Sequence, residues 1–387
     1  MRARIFMPGL RILITNSHLQ NRDGTATYVS DLASELLNRG HSPMIYSPKL
    51  GLVADEIQKK AIHVVDDLND IAVCPDIIHG QNNLETVCAM VRFPKVPAVF
   101  FTHSSWWMRD VPPRIPRILR CVAVDYTCRE RLLDEYGLPE DRVSVIYNAV
   151  NLNKFRPRDP LPERPRRALI FSNNSSAHFD AVSVACKRTG LELDVVGANS
   201  GNPTAEPERI LGRYDIVFAK ARCAIEAMAV GTAVVLCDFA GVGPMVTMGD
   251  FDRLRRFNFG HRVLNRPINA DEIAVEISRF NAQDAMEVSR RIRAEAGLDL
   301  MVDEILNLYN NVIAEYKEIG NVDPEVEGRA MASFLKWFSL KKDEEELQYQ
   351  QATAYVLRER IERIPMVRTV ARLFARAASV GLRNKKH

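Results

Sequence analysis

Asp215-Ile216-Val217-Phe218-Ala219-Lys220-Ala221-Arg222-Cys223-Ala224-Ile225-Glu226-Ala227-Met228-Ala229-Val230-Gly231-Thr232-Ala233-Val234-Val235-Leu236 is the stretch on which the fold turns. Asp215–Phe218 and Ala233–Leu236 read as short buried strands, and Ala224–Val230 between them carries a helical pattern. The same alternation extends outward. Ala168–Phe171 and Leu193–Val196 read as strands, with a helix near Ala181–Arg188. Helical patterns follow at Ala270–Phe280, Ala285–Ala296 and Met301–Lys317. Such β-α alternation specifies a doubly wound, mostly parallel sheet.

Upstream, Pro157, Pro160, Pro162 and Pro165 mix with charges, a composition suited to an extended linker. Before them the alternation runs again. Arg11–Thr15, Met44–Ser47, Ile62–Val65, Asp76–His79, Ala98–His103, Cys121–Val124 and Val143–Tyr147 read as strands. Tyr28, Val29, Leu32, Ala33, Leu36 and Leu37 repeat at helical spacing, with Gly40 placed as the residue after the helix. The division is therefore a first lobe (1–155), a linker (156–166), a second lobe (167–320) and a helical tail (321–387). Two α/β lobes place a site in the cleft at the C-terminal ends of their strands.

Composition narrows the class. The 387 residues are 47% apolar and 26% charged, with a net charge of +3. That describes a globular chain with material for a sizeable core, and excludes collagen, low-complexity disorder and a polytopic membrane protein. The balance gives no support to nucleic-acid binding. Seven cysteines, none in a C-x-x-C pair, argue against a zinc site or a disulfide framework and for a reducing compartment. Arg11 interrupts the apolar run near the N-terminus, so no signal peptide is read there.

Four segments together resemble the GT-B glycosyltransferases, closest to the retaining family 4 group. They are Arg11–Thr15 with Gly24-Thr25-Ala26-Thr27-Tyr28-Val29; Asp76–His79 with Phe100-Phe101-Thr102-His103; Val143–Asn151 with Phe155 and Pro157; and Ala224–Val235. The third segment stands where the family shows I-P-N-G-V-D and F-x-P. The fourth stands where it shows E-A-M-A-x-G-x-P-V-V. The resemblance spans roughly residues 11 to 317. It implies an α/β fold of two Rossmann-like lobes facing across a cleft, and sugar transfer from a nucleotide-diphosphate sugar, retaining and without a metal.

The site candidates follow from this resemblance and from side-chain chemistry. Gly24 and Thr25 open the first helix after a strand, where free N–H groups meet a phosphate or hydroxyl; the bland alternative is a turn glycine. The resemblance gives Glu226 the nucleotide ribose, since a carboxylate accepts two hydroxyl donors; a dipole-stabilised helix acid is the alternative. His103, at the end of an apolar strand, is the catalytic candidate near the donor sugar, against a histidine satisfied in the core. Trp106 and Trp107 suit an acceptor lip or simple packing.

Two departures stand out. The family's E-x7-E has Phe218 in place of its first acid. Its Arg/Lys diphosphate grip is replaced by Ser172-Asn173-Asn174-Ser175-Ser176, leaving Ser172 and Asn173 as donor-binding candidates without charge. An anionic diphosphate needs a cation, and Lys220 and Arg222 stand in the loop before Glu226 to supply it; solvated loop cations are the alternative. Asp250-Phe251-Asp252 matches a metal-binding D-x-D, but it follows no clear strand and is read as chance.

The expected function is sugar transfer to a glycan, lipid-linked or other small acceptor, as in polysaccharide biosynthesis, with no cofactor beyond the nucleotide-sugar co-substrate. A non-catalytic GT-B scaffold and a sugar-nucleotide epimerase are the alternatives. Residues 357–387 hold nine Lys/Arg against two Asp/Glu, so the rest of the chain is mildly acidic. In Met366–Leu382, Arg368, Arg372 and Arg376 line one face and Met366, Val370, Leu373 and Phe374 another. That suits a cytoplasmic protein lying peripherally on an anionic membrane. The seven-residue spacing of Leu347, Ala354 and Ile361, and of Leu357 and Ile364, suits docking or self-association instead.

Overall fold

The computed structural model describes residues 9–320 and 322–362. They form two compact units, one reaching to Asp323 and one starting at Pro324. The first unit contains two sheets.

The first sheet has seven parallel strands: β1 (Arg11–Thr15), β2 (Ser42–Tyr46), β3 (His63–Val65), β4 (Ile77–Gln81), β5 (Ala98–Thr102), β6 (Ile118–Ala123) and β7 (Val143–Val145), in the order β3-β2-β1-β4-β5-β6-β7. The helices α1 (Gly24–Asn38), α2 (Leu52–Gln58), α3 (Asn83–Arg92) and α4 (Tyr126–Glu130) are interleaved with the strands. Ile12, Leu13, Ile14 and Thr15 are all fully buried, as a strand covered on both faces must be. Helix α1 begins where the Asp23 carboxylate accepts the Ala26 N–H at 2.8 Å. Gly40, just past its end, has φ +83, a left-handed conformation that glycine reaches without strain.

The second sheet has five strands: β8 (Arg167–Phe171), β9 (Glu192–Val196), β10 (Ile216–Ala219), β11 (Ala233–Asp238) and β12 (Gly241–Met245), in the order β12-β11-β10-β8-β9. Helices α5 (Phe179–Thr189), α6 (Ala221–Val230), α7 (Phe251–Arg255), α8 (Ala270–Ser278), α9 (Ala282–Glu295) and α10 (Leu298–Ile319) complete the unit. Strand β12 is antiparallel to β11 and is absent from the sequence reading, because its Gly241, Gly243 and Pro244 are poor strand formers. Chain order reverses at β1/β4 in one sheet and at β8/β10 in the other. The crevices at these switch points are where α/β sheets hold ligands.

The lobe boundaries differ from the expected ones. Ile146 and Ala149 belong to the first core, whereas Val150 and Phe155 belong to the second. The chain thus crosses at Val150. The proline-rich segment lies on the second lobe, with Arg158 N–H donating to Val230 O (2.8 Å) and Arg166 N–H to Asp215 (2.8 Å). The chain crosses back at Gly297. Leu298, Met301, Val302, Ile305, Tyr309 and Val312 of α10 pack into the first core. The two crossings hold each other: Val150 N–H donates to Ala296 O (2.9 Å) and Leu298 N–H to Val150 O (3.0 Å).

The second unit is the helix α11 (Pro324–Glu362). It starts well before the expected Lys341, with proline at its first turn, where the missing N–H costs nothing. Within it Phe334 packs on Trp337 and Phe338, ring centres 5.8 and 5.9 Å apart. The amphipathic segment Met366–Leu382 lies outside the described residues, as does Ile364. No described helix is long and apolar enough to cross a membrane.

Candidate functional site

A cleft of about 550 Å³ is lined from the first lobe by Asp23, Gly24, Thr25, His103, Trp106, Trp107, Arg109, Asp110 and Asp125 and from the second by Lys220, Ala221, Asn258, His261 and Arg262. Its walls are loops that leave the C-terminal ends of strands β1, β5, β6 and β10. Gly24 faces open space, with no atom within 4 Å of where a side chain would start. Beside it the Asp23 carboxylate is occupied by His18, Thr25 and the Ala26 N–H. Burial works against that carboxylate, yet these partners bring its pKa below the usual range.

His103 ends up in the cleft, as the sequence placed it. Tyr28 meets its ring edge-on at 4.7 Å. Burial lowers its pKa to about 4, so the imidazole is neutral at pH 7. Its Nε2 is buried without a hydrogen-bond partner. A neutral imidazole on a cleft wall is suited to a substrate hydroxyl, not to a salt bridge. Trp106 and Trp107 stand at the mouth, 70% and 57% exposed. Trp106 approaches His261 of the second lobe, with ring centres 5.8 Å apart.

Like Arg262, Lys220 is a second-lobe cation in the cleft. It precedes α6, whose N-terminus has no capping side chain and no acid in its first turn. Ala221 N–H is taken by Phe259 O (2.8 Å), and the positive end of the helix dipole lies beside the ammonium, which favours an anion there. The ammonium lies 2.9 Å from Asp238 and donates to His261 Nε2 at 2.7 Å. Burial pushes its pKa down to about 8, and burial with Lys220 takes His261 to about 4. The adjoining Ala221 has φ +47, a left-handed conformation that is strained for a residue with a Cβ, at the point where the cleft meets the helix.

Four candidates do not line the cleft: Arg222, Glu226, Ser172 and Asn173. Arg222 does not face the cleft. Its guanidinium is clamped between Glu226 (2.8 Å) of its own helix and Asp31 of α1 in the other lobe. Burial works against the Arg222 charge, and the two carboxylates more than reverse it, holding its pKa above the ordinary arginine value. Glu226 is likewise buried and does not line the cleft. Burial raises its pKa against the opposing Arg222 charge. Ser172 and Asn173 brace loops: Ser172 Oγ donates to Asp238 (3.2 Å), and Asn173 accepts from Ala198 N–H (3.1 Å). Here β8 and β9 come so close that a side chain at Gly197 would start 1.9 Å from Ser172 O. Phe218 is fully buried in β10, so no side chain reaches the cleft from that position. The D-x-D carboxylates are engaged, Asp250 with Arg253 and Arg279 and Asp252 with Arg291.

Asp110 was not legible as a site residue. It is 2% exposed, and burial, partly opposed by Arg109, raises its carboxyl to about 6. A folded pKa above the unfolded value means that the fold favours the protonated acid. Stability is then fully present below pH 4 and is lost as pH rises through 6. Asp110→Asn is expected to be more stable than the native chain by roughly 1–3 kcal/mol at pH 8 and little different at pH 4, measured by urea unfolding at both values. Equal differences at the two values would contradict this.

Residues 22–154 match the family described as Glycosyltransferase Family 4. No curated protein matches the chain. Among solved structures, a glycosyltransferase from Rickettsia africae ESF-5 is similar at a TM-score of 0.60 and 16% identity, over 79% of this chain and 99% of that one. Anabaena Alr3699/HepE, solved in complex with UDP and glucose, gives 0.57 and 14%, over 78% and 99%. The catalytic domain of starch synthase IV from Arabidopsis thaliana, bound to ADP and acarbose, gives 0.51 and 10%, over 79% and 100%. The chain has the two-lobed GT-B fold of glycosyltransferases and resembles family 4, with a helical region beyond the lobes.

Proposed function

We propose that the protein is a glycosyltransferase taking a sugar from a nucleotide-diphosphate sugar held by the second lobe to an acceptor held by the first. The observation that carries this reading is the pair that lines one cleft from its two lobes: Lys220 at the start of α6, and His103 directly after β5. The UDP and glucose of the HepE structure and the ADP of the starch synthase structure favour the same donor class.

In this reading Lys220 and the α6 N-terminus neutralise the departing diphosphate, which is the main requirement of the reaction. His103 hydrogen-bonds a hydroxyl of the transferred sugar or of the acceptor. Exclusion of water from the cleft protects the activated donor. Glu226 takes the ribose only if Arg222 shares it, since that carboxylate is already paired. The reaction is metal-independent and retaining in this proposal, with no acid at position 218. The acceptor is a glycan or a lipid-linked sugar, and the basic segment 357–387 favours an anionic surface as the place of work.

Thermal shift against nucleoside diphosphates and their sugars tests the donor half. At least one nucleotide is expected to raise the melting temperature of the native chain by several degrees, following the linkage of binding to stability. Lys220→Ala is expected to abolish the rise. No shift with any nucleotide would instead favour a non-catalytic GT-B protein, the reading to which the buried Phe218 and the sequestered Arg222 lend support.

A further inference from the structure

The first lobe's side of the cleft has a charge that nothing in the donor reading uses. Arg109 sits on the short helical turn Met108–Asp110. That turn is fixed from below: Asn83 Nδ2 donates to Met108 O (2.8 Å) and Val111 O (3.2 Å), and Thr102 Oγ1 to Asp110 O (3.2 Å). The guanidinium stands 5.3 Å from the centre of the Trp107 ring. Among the described residues it makes no hydrogen bond and no ion pair. The other cleft cations each have a carboxylate partner, Lys220 in Asp238 and Arg262 in Glu130.

The acids near Arg109 attract it but form no ion pair with it. Burial pushes both Asp110 and Glu85 toward the neutral form. Asp23 is matched to His18, and Asp125 is spent capping α4. An unpaired guanidinium, held on a braced turn and stacked on indole, is the arrangement that recognises a planar or tetrahedral anion by two parallel hydrogen bonds. Next to it two largely exposed indoles present flat apolar faces of the kind that cover a pyranose ring.

We propose that the acceptor carries an anionic group, a phosphate or carboxylate on its sugar, and that Arg109, with Trp106 and Trp107, selects it. This rests on the two-substrate reading of the cleft above. Arg109 fixes the charged end, and the indoles fix the ring beside it. A neutral glycan leaves the guanidinium desolvated without a partner and binds more weakly.

The test is a fluorescence titration of the full chain in a Trp337→Phe background, so that the signal comes from the two cleft indoles. The probes are glucose 6-phosphate, glucuronate and methyl α-glucoside. At least one charged sugar is expected to bind at least tenfold more tightly than the neutral one, and the phosphate and carboxylate arms identify which anion is preferred. Arg109→Gln is expected to erase the preference, and Arg109→Lys to restore part of it. Equal binding of the three probes, no saturable change with any of them, or a preference that survives Arg109→Gln would overturn the proposal. Nucleotide binding is read separately by thermal shift. If nucleotides bind and charged sugars do not, the acceptor inference alone fails. If charged sugars bind and nucleotides do not, the two-substrate reading fails and Arg109 remains an anion site.

Discussion

Arg222→Met is expected to destabilise the protein by about 3–5 kcal/mol at pH 7, the usual cost of breaking a buried pair from one side. The loss has two sources. Glu226, buried, and Asp31, mostly buried, are left facing one another without the guanidinium between them. The contact that ties α6 of one lobe to α1 of the other also disappears. The pH dependence has a definite sign. Burial already raises the Glu226 pKa against the opposing Arg222 charge, and removing that charge raises it further, so the variant's deficit is smallest in acid and grows as pH rises. Adding Asp31→Asn and Glu226→Gln to the variant removes both stranded charges, and most of the loss is expected to return. Urea unfolding at pH 5 and pH 8 measures all of this. A loss below 1 kcal/mol would show that the triad is not a structural clasp.

Lys220→Ala is expected to lower kcat for sugar transfer by roughly 10²–10³-fold, as removal of a preorganised charge from a reacting oxyanion does. The nucleotide panel supplies the donor for the assay. Because the charge matters most as the diphosphate leaves, kcat is expected to fall further than KM rises. Lys220→Ala also strands Asp238, which is fully buried. The companion variant Lys220→Ala with Asp238→Asn separates that structural penalty from the catalytic one. If its kcat returns to native, Lys220 only neutralises Asp238 and has no part in transfer.

Much of the architecture was legible because parallel strands buried on both faces leave unbroken apolar runs, as Ile12–Thr15 and Ala233–Leu236 do. What escaped was long-range. No local pattern says that α10 belongs to the first core, since its apolar stripe fits either lobe. Asp31 lies 191 residues from Arg222, so their pairing left no trace in spacing. Lys220 and Arg222 look alike in sequence, two cations in one loop. Only the direction of each side chain separates them, one into the cleft and one into a clamp between helices. Asp110 was passed over because an aspartate in a loop is ordinary; its burial, not its identity, makes it unusual. His103 could be placed at the cleft from sequence because it directly follows an apolar strand.

The return of α10 to the first lobe also fixes an order in time. The Tyr309 hydroxyl contacts His79 of β4 at 2.6 Å, across 230 residues of chain. At a synthesis rate of about 5–20 residues per second, β1–β7 are complete roughly 10–30 s before α10 exists to cover them. The second lobe, whose core is contributed by an uninterrupted stretch of chain from Val150 to Ala296, is made during that interval and is complete just before α10. The part of the protein that is made first is therefore the part that finishes last, and its apolar sheet face is the surface a nascent-chain chaperone would meet.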